Sequence, residues 1–67
     1  MRIIRDIHGK GLCKVDDATG KFACYYNGRL LLCTTAVGQD FTFLKDGVKT
    51  VVRRELHGFT VSSREIT

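Results

Sequence analysis

Sixty-seven residues, with 11 Lys and Arg against 7 Asp and Glu and a formal charge of +4, make a single small basic domain over 1–67 with no material for a second core. A chain this short buries only about 60% of the surface its unfolded form exposes, so its stability is marginal unless disulfides, a structural metal or self-association add to it. The longest purely apolar run, Leu30 to Cys33, is far too short to cross a bilayer. Arg2, Arg5 and Asp6 interrupt Ile3, Ile4 and Ile7 where a greasy leader would need continuity, so a cytoplasmic protein with no membrane partner is expected.

The absence of proline and the seven glycines point to strands joined by tight turns. Arg2 to Ile7 suits an edge strand, His8-Gly9-Lys10-Gly11 a loop, and Leu12 to Val15 a short strand. Asp16 to Gly20 is the next turn, rich in residues that hydrogen-bond their own backbone. Tyr26-Asn27-Gly28-Arg29 then carries the strongest local signal, because Asn-Gly between two β-prone runs is what a two-residue type I′ hairpin demands. With Asn27-Gly28 as the loop, Tyr26 faces Arg29, Tyr25 faces Leu30, Cys24 faces Leu31 and Phe22 faces Cys33. One side of the ribbon carries Phe22, Cys24, Leu31 and Cys33, and the other carries Ala23, Tyr25, Leu30 and Leu32. A ribbon apolar on both sides either sits inside a sheet assembly or seats a partner on its second face. A 67-residue chain has little to cover two faces, so Tyr25, Leu30 and Leu32 are expected to form an oligomer interface.

Asp46-Gly47 predicts a second hairpin, with Phe41, Phe43, Val48, Thr50 and Val52 on a core face and Thr42, Leu44, Lys49, Val51 and Arg53 on a mixed surface. A helix over 48–57 is the rival, since Val48, Val51, Val52 and Leu56 also fall at helical spacing between Asp46 as N-cap and Gly58. The β-branched Val48, Thr50, Val51 and Val52 oppose it, whereas Arg54, which the strand register places on the apolar face, favours it. A turn at His57-Gly58 pairing Leu56 with Phe59 and a polar final edge from Ser62 to Thr67 complete the chain. The expected fold is mostly β, a small antiparallel barrel or sandwich of six or seven short strands, with α+β as the alternative.

No constellation of residues carries chemistry. Cys13, Cys24 and Cys33 are an odd set spaced by eleven and nine residues, which supplies neither a paired disulfide framework nor the close ligand pair of a zinc turn. They read as small buried hydrophobes, and neither metal nor cofactor is expected. Arg5-Asp6-Ile7-His8-Gly9 echoes Arg54-Glu55-Leu56-His57-Gly58, and two histidines beside carboxylates suit acid–base work if they meet. Strand ends alone also account for the echo. Ser62 and Ser63 have no activating partner nearby, and Gly9-Lys10-Gly11 is too short for a phosphate cradle. The chain is read as a non-enzyme.

Arg29, Lys45, Lys49, Arg53 and Arg54, with Tyr25 and Tyr26 as stacking rings, form a candidate surface for nucleic acid or another anionic partner, because cations track phosphates while bases stack on rings. The expected function is a small non-catalytic binding module with such a face. The alternative is a protein–protein interaction module, either a homo-oligomerising subunit or a phage-type inhibitor of a larger host protein.

Overall fold

The computed structural model describes residues 1–66, apart from the side chain of Tyr26. Seven strands follow in order: β1 (Arg2–Arg5), β2 (Gly11–Asp16), β3 (Lys21–Tyr26), β4 (Arg29–Thr34), β5 (Asp40–Lys45), β6 (Val48–Glu55) and β7 (Gly58–Glu65). All neighbours are antiparallel, β1-β2-β3-β4 forming one sheet and β5-β6-β7 another, and the two do not join into a closed barrel. Among the described residues there is no helix, and hence none long and apolar enough to cross a membrane.

Both Asx-Gly turns form as expected. Asn27 and Asp46 take φ values of 50° and 51°, and the following Gly28 and Gly47 both take 75°. Two consecutive positive φ values give a turn whose twist matches the flanking strands. The β3–β4 register is the expected one, from Tyr26 opposite Arg29 to Phe22 opposite Cys33. In β6, Val48, Thr50 and Val52 are buried on the inner face. The helical alternative for 48–57 is therefore overturned. Strict alternation of buried β-branched residues opposite Phe41 and Phe43 satisfies a strand on every second residue, which no helix period can do.

Two boundaries differ from expectation. The first strand stops at Arg5, because the Asp6 carboxylate turns back to accept the N–H groups of His8 (2.8 Å) and Lys10 (3.0 Å) and closes the loop. The last hairpin turns at Leu56-His57, one residue earlier than expected, with Glu55 opposite Gly58 and Arg54 opposite Phe59. The shift moves Leu56 off the core face into an exposed turn and keeps Phe59 on the inner face, now opposite Arg54. Gly58 is required there. Its φ of 151° is poorly tolerated with a side chain, and a Cβ would lie 2.5 Å from Asp17 Oδ1.

The inner faces of the two sheets share one core of Ile4, Cys13, Val15 and Phe22 from the first sheet and Val52 and Phe59 from the second. Phe22 stacks on Phe41 with centroids 4.1 Å apart and an interplanar angle of 10°. Arg54 fits this interior because Gly20 has no side chain: its guanidinium fills the space a Cβ would need, lies 5.5 Å from the Phe59 ring centroid, and donates to the Gly58 carbonyl (3.3 Å).

Polar ties fasten the sheets at both ends. At one, the Asp17 carboxylate accepts two bonds from Arg2 (2.7 and 3.1 Å) and the Phe59 N–H (2.9 Å), while Arg2 also donates to the Phe59 carbonyl (2.8 Å). At the other, Lys10 pairs with Asp46, His8 lies 3.3 Å from Glu65, and the Ile7 N–H donates to Ser63.

The hydrogen bond from Arg2 holds the Asp17 carboxyl below its ordinary range; burial works against this, and the Phe59 N–H and the charges of Arg2 and Arg54 reinforce it. A depressed folded-state pKa stabilises the fold fully above the unfolded value of about 3.9, and that contribution is lost as pH falls through the folded value. Asp17→Ala leaves the Phe59 N–H without its partner and is expected to cost about 1–2 kcal/mol at neutral pH. Urea midpoints followed from neutral to acid pH should show the wild type losing stability below about pH 4, with the variant lower at the start and flatter on that limb.

Candidate functional site

The residues expected to act together separate into three groups. Tyr25, Leu30 and Leu32 alternate onto the outer face of the first sheet, where they are 76%, 50% and 69% exposed. Cross-strand pairing aligns Ile3, Lys14, Ala23 and Leu32 in one row over β1 to β4, and this row floors an open groove of about 690 Å³. Tyr25 and Leu30 also line it, and it reaches past the outer face to Cys13, Cys24, Phe43 and Lys45 on the side of the core. Three expected interface residues and one expected cation thus share one groove. Ile3 went unnoticed in the sequence, although its alternation with buried Ile4 is the signal that puts it outside.

The second group comprises cations already engaged. Arg53 lies 3.8 Å from Asp40 and 3.6 Å from Glu55, and Arg54 is folded against Gly20 and Phe59 with its Nε buried and unbonded. The third comprises exposed Arg29 and Lys45 and half-buried Lys49: among the described residues no carboxylate lies within 4 Å of any of them. Lys49 sits opposite Arg64 on β7, two like charges side by side on the outer face of the second sheet. Arg29 lies at the opposite sheet's hairpin tip, so the five expected cations do not make one patch. The Tyr26 side chain lies outside the described residues.

Leu31 adds to the apolar surface from the other side of the ribbon. The hairpin register puts it on the face of Phe22 and Cys24, yet it is 49% exposed because β4 is the sheet's last strand and overhangs the core. Every residue of β4 is exposed. The ribbon is therefore uncovered on both sides of its outer strand.

The two histidines are separated by the length of β7. His8 meets Glu65 at the strand's end, and His57 belongs to the turn before Gly58 at its start. Eight residues of strand put them roughly 23 Å apart. His57 does share a shallow depression with Asp17 and Glu55, but those carboxylates hold Arg2 and Arg53. Among the described residues no three His, Cys, Asp or Glu side chains converge as a metal site.

Comparison with protein-family models, with curated proteins and with solved structures finds no match to the chain.

The three cysteines are free and graded by depth, Cys13 buried, Cys24 half-buried and Cys33 exposed. Burial, with the neighbouring Cys24, pushes the Cys13 thiol up to about 12 against a small opposing effect of Arg2. Burial and Cys33 raise Cys24 as well. Since the thiolate is the reacting species, iodoacetamide at neutral pH should label Cys33 first, Cys24 more slowly, and Cys13 only on unfolding. Peptide mapping by mass spectrometry over time checks the order.

Proposed function

We propose that this chain is a non-catalytic protein-interaction module that docks through its apolar β3–β4 ribbon. The observation that carries the reading is β4 itself: three consecutive leucines stand 49–69% exposed on a sheet-edge strand. Apolar area left in water is worth roughly 25 cal/mol per Å² when a partner removes it, and large contiguous patches of this kind mark interaction surfaces. The groove over Ala23 offers a recess for a partner's apolar side chain, with Lys14 and Lys45 beside it for polar contacts. On this reading the two facing sheets are a small sandwich acting as a rigid support. The partner is a second copy of the chain or a larger host protein. Three free thiols fit a reducing, cytoplasmic setting.

Replacing both outward leucines, Leu30→Lys with Leu32→Lys, tests the reading. In dilute solution the double variant should keep its β circular dichroism and a cooperative melt, and it should lose association measured by light scattering. Loss of the fold in the dilute variant would show that these leucines serve the chain's own stability and would sink the reading.

A second reading, contact with nucleic acid, draws on Lys49 opposite Arg64, since like charges directly across a ladder repel unless an anion lies over them. If that surface holds phosphates, single-stranded oligonucleotides should bind at low salt, weaken steeply as salt rises, and bind less to Lys49→Ala. Fluorescence anisotropy that detects no binding at low salt removes it.

A further inference from the structure

Four strands border the two sheets, and three of them carry charges that discourage pairing with another chain: Arg2 and Arg5 on β1, Asp40 and Lys45 on β5, Arg64 and Glu65 on β7. β4 has the sequence Arg29-Leu-Leu-Leu-Cys-Thr34, with its single charge at the hairpin end and neither proline nor glycine. It is the unguarded edge.

The direction of its free backbone groups follows from the register. Tyr26 and Arg29 flank a two-residue turn, and the Thr35 N–H donates to the Gly20 carbonyl (2.9 Å). Bonded pairs alternate along an antiparallel ladder, so Arg29, Leu31 and Cys33 direct their backbone groups at β3. Leu30, Leu32 and Thr34 direct theirs outward to the open edge.

We propose that β4 pairs antiparallel with β4 of a second copy, joining two four-stranded sheets into one of eight strands; this rests on the docking-surface reading above and names its occupant. A two-fold axis perpendicular to the sheet and passing beside Leu31 sets Leu31 against Leu31 of the other copy on the inner face. It sets Leu30 against Leu32 twice on the outer face, where both residues offer free backbone groups. Arg29 then faces Cys33, so no like charges meet. The edge is thus complementary to itself, as a two-fold interface requires. The two outer grooves become continuous and the exposed leucines of both copies cover one another. A second copy also supplies what so short a chain lacks, since the described residues hold neither a disulfide nor a metal cluster.

Sedimentation equilibrium over a wide concentration range should give twice the 7.5 kDa chain mass. Leu32→Pro removes an outward N–H without removing a bond to β3, so it should restore the single-chain mass with the β circular dichroism kept, whereas Leu32→Val should remain double. Amide exchange supplies a readout that needs no variant: the Leu30 and Leu32 N–H groups should exchange at least tenfold more slowly in the double-mass species than on dilution. A wild type of single mass at every concentration overturns the proposal. So does a double-mass species in which Leu32→Pro still associates or these two amides stay unprotected, although that outcome leaves the ribbon's apolar face as the docking surface. Failure of the docking reading itself shows differently, as unfolding of the dilute Leu30→Lys, Leu32→Lys chain.

Discussion

Among the described residues every tie between the two sheets involves a side chain. Among these residues no backbone–backbone hydrogen bond passes from β1–β4 to β5–β7, so their union depends on the stack of Phe22 on Phe41, the apolar residues around it, and the side-chain ties at the two ends. Fully burying a side chain of this class contributes about 1.5–3 kcal/mol, and the core holds only a handful of them. The positions at its centre are the most deeply buried in the molecule, with Val15 and Val52 both at 0% exposure. A core so small has no redundancy.

The rest of the architecture follows from protecting that centre. Asp17 and Arg2 brace one end, where the β2–β3 turn meets the first residues of β7, and the loop around Asp6 meets β7 at the other. Asp6 is buried, yet its carboxyl is held below its ordinary range: burial acts to raise it, and the Lys10 and His8 N–H groups with the charges of those residues outweigh that effect. Arg54 occupies the interior under the same logic. It lies on the inner face because its register leaves no choice, and glycine at position 20 makes the room.

What the core leaves over defines the proposed docking surface. Two sheets that share one core use one side of each strand for it, and no residue of β4 is buried in that core, so its leucines remain exposed on both sides. On the second sheet the outer face is mixed: Leu44 stands 68% exposed opposite Lys49, and Asp40 and Glu55 lie within 4 Å of Arg53. The outward leucines of β4, with Ile3 and Tyr25, make the outer face of the first sheet apolar, while Leu44, Leu56 and Val61 stand exposed singly on the second.

The local sequence determined whatever depends on neighbours along the chain. Asn27-Gly28 and Asp46-Gly47 set two turns and, through them, the register and facing of four strands, because only residues tolerant of positive φ close a two-residue hairpin. The two-sided apolar character of residues 22–33 was legible for the same reason. The tertiary structure alone decided how those hairpins meet. Whether 48–55 is strand or helix turned on Phe41 and Phe43 lying opposite it, and the place of Arg54 turned on a glycine 34 positions away. The separation of His8 from His57, and the dispersal of the basic residues that looked like one face, likewise belong to packing. Such distances are set by which sheet faces bury each other, a competition among residues far apart in the chain that no local pattern encodes.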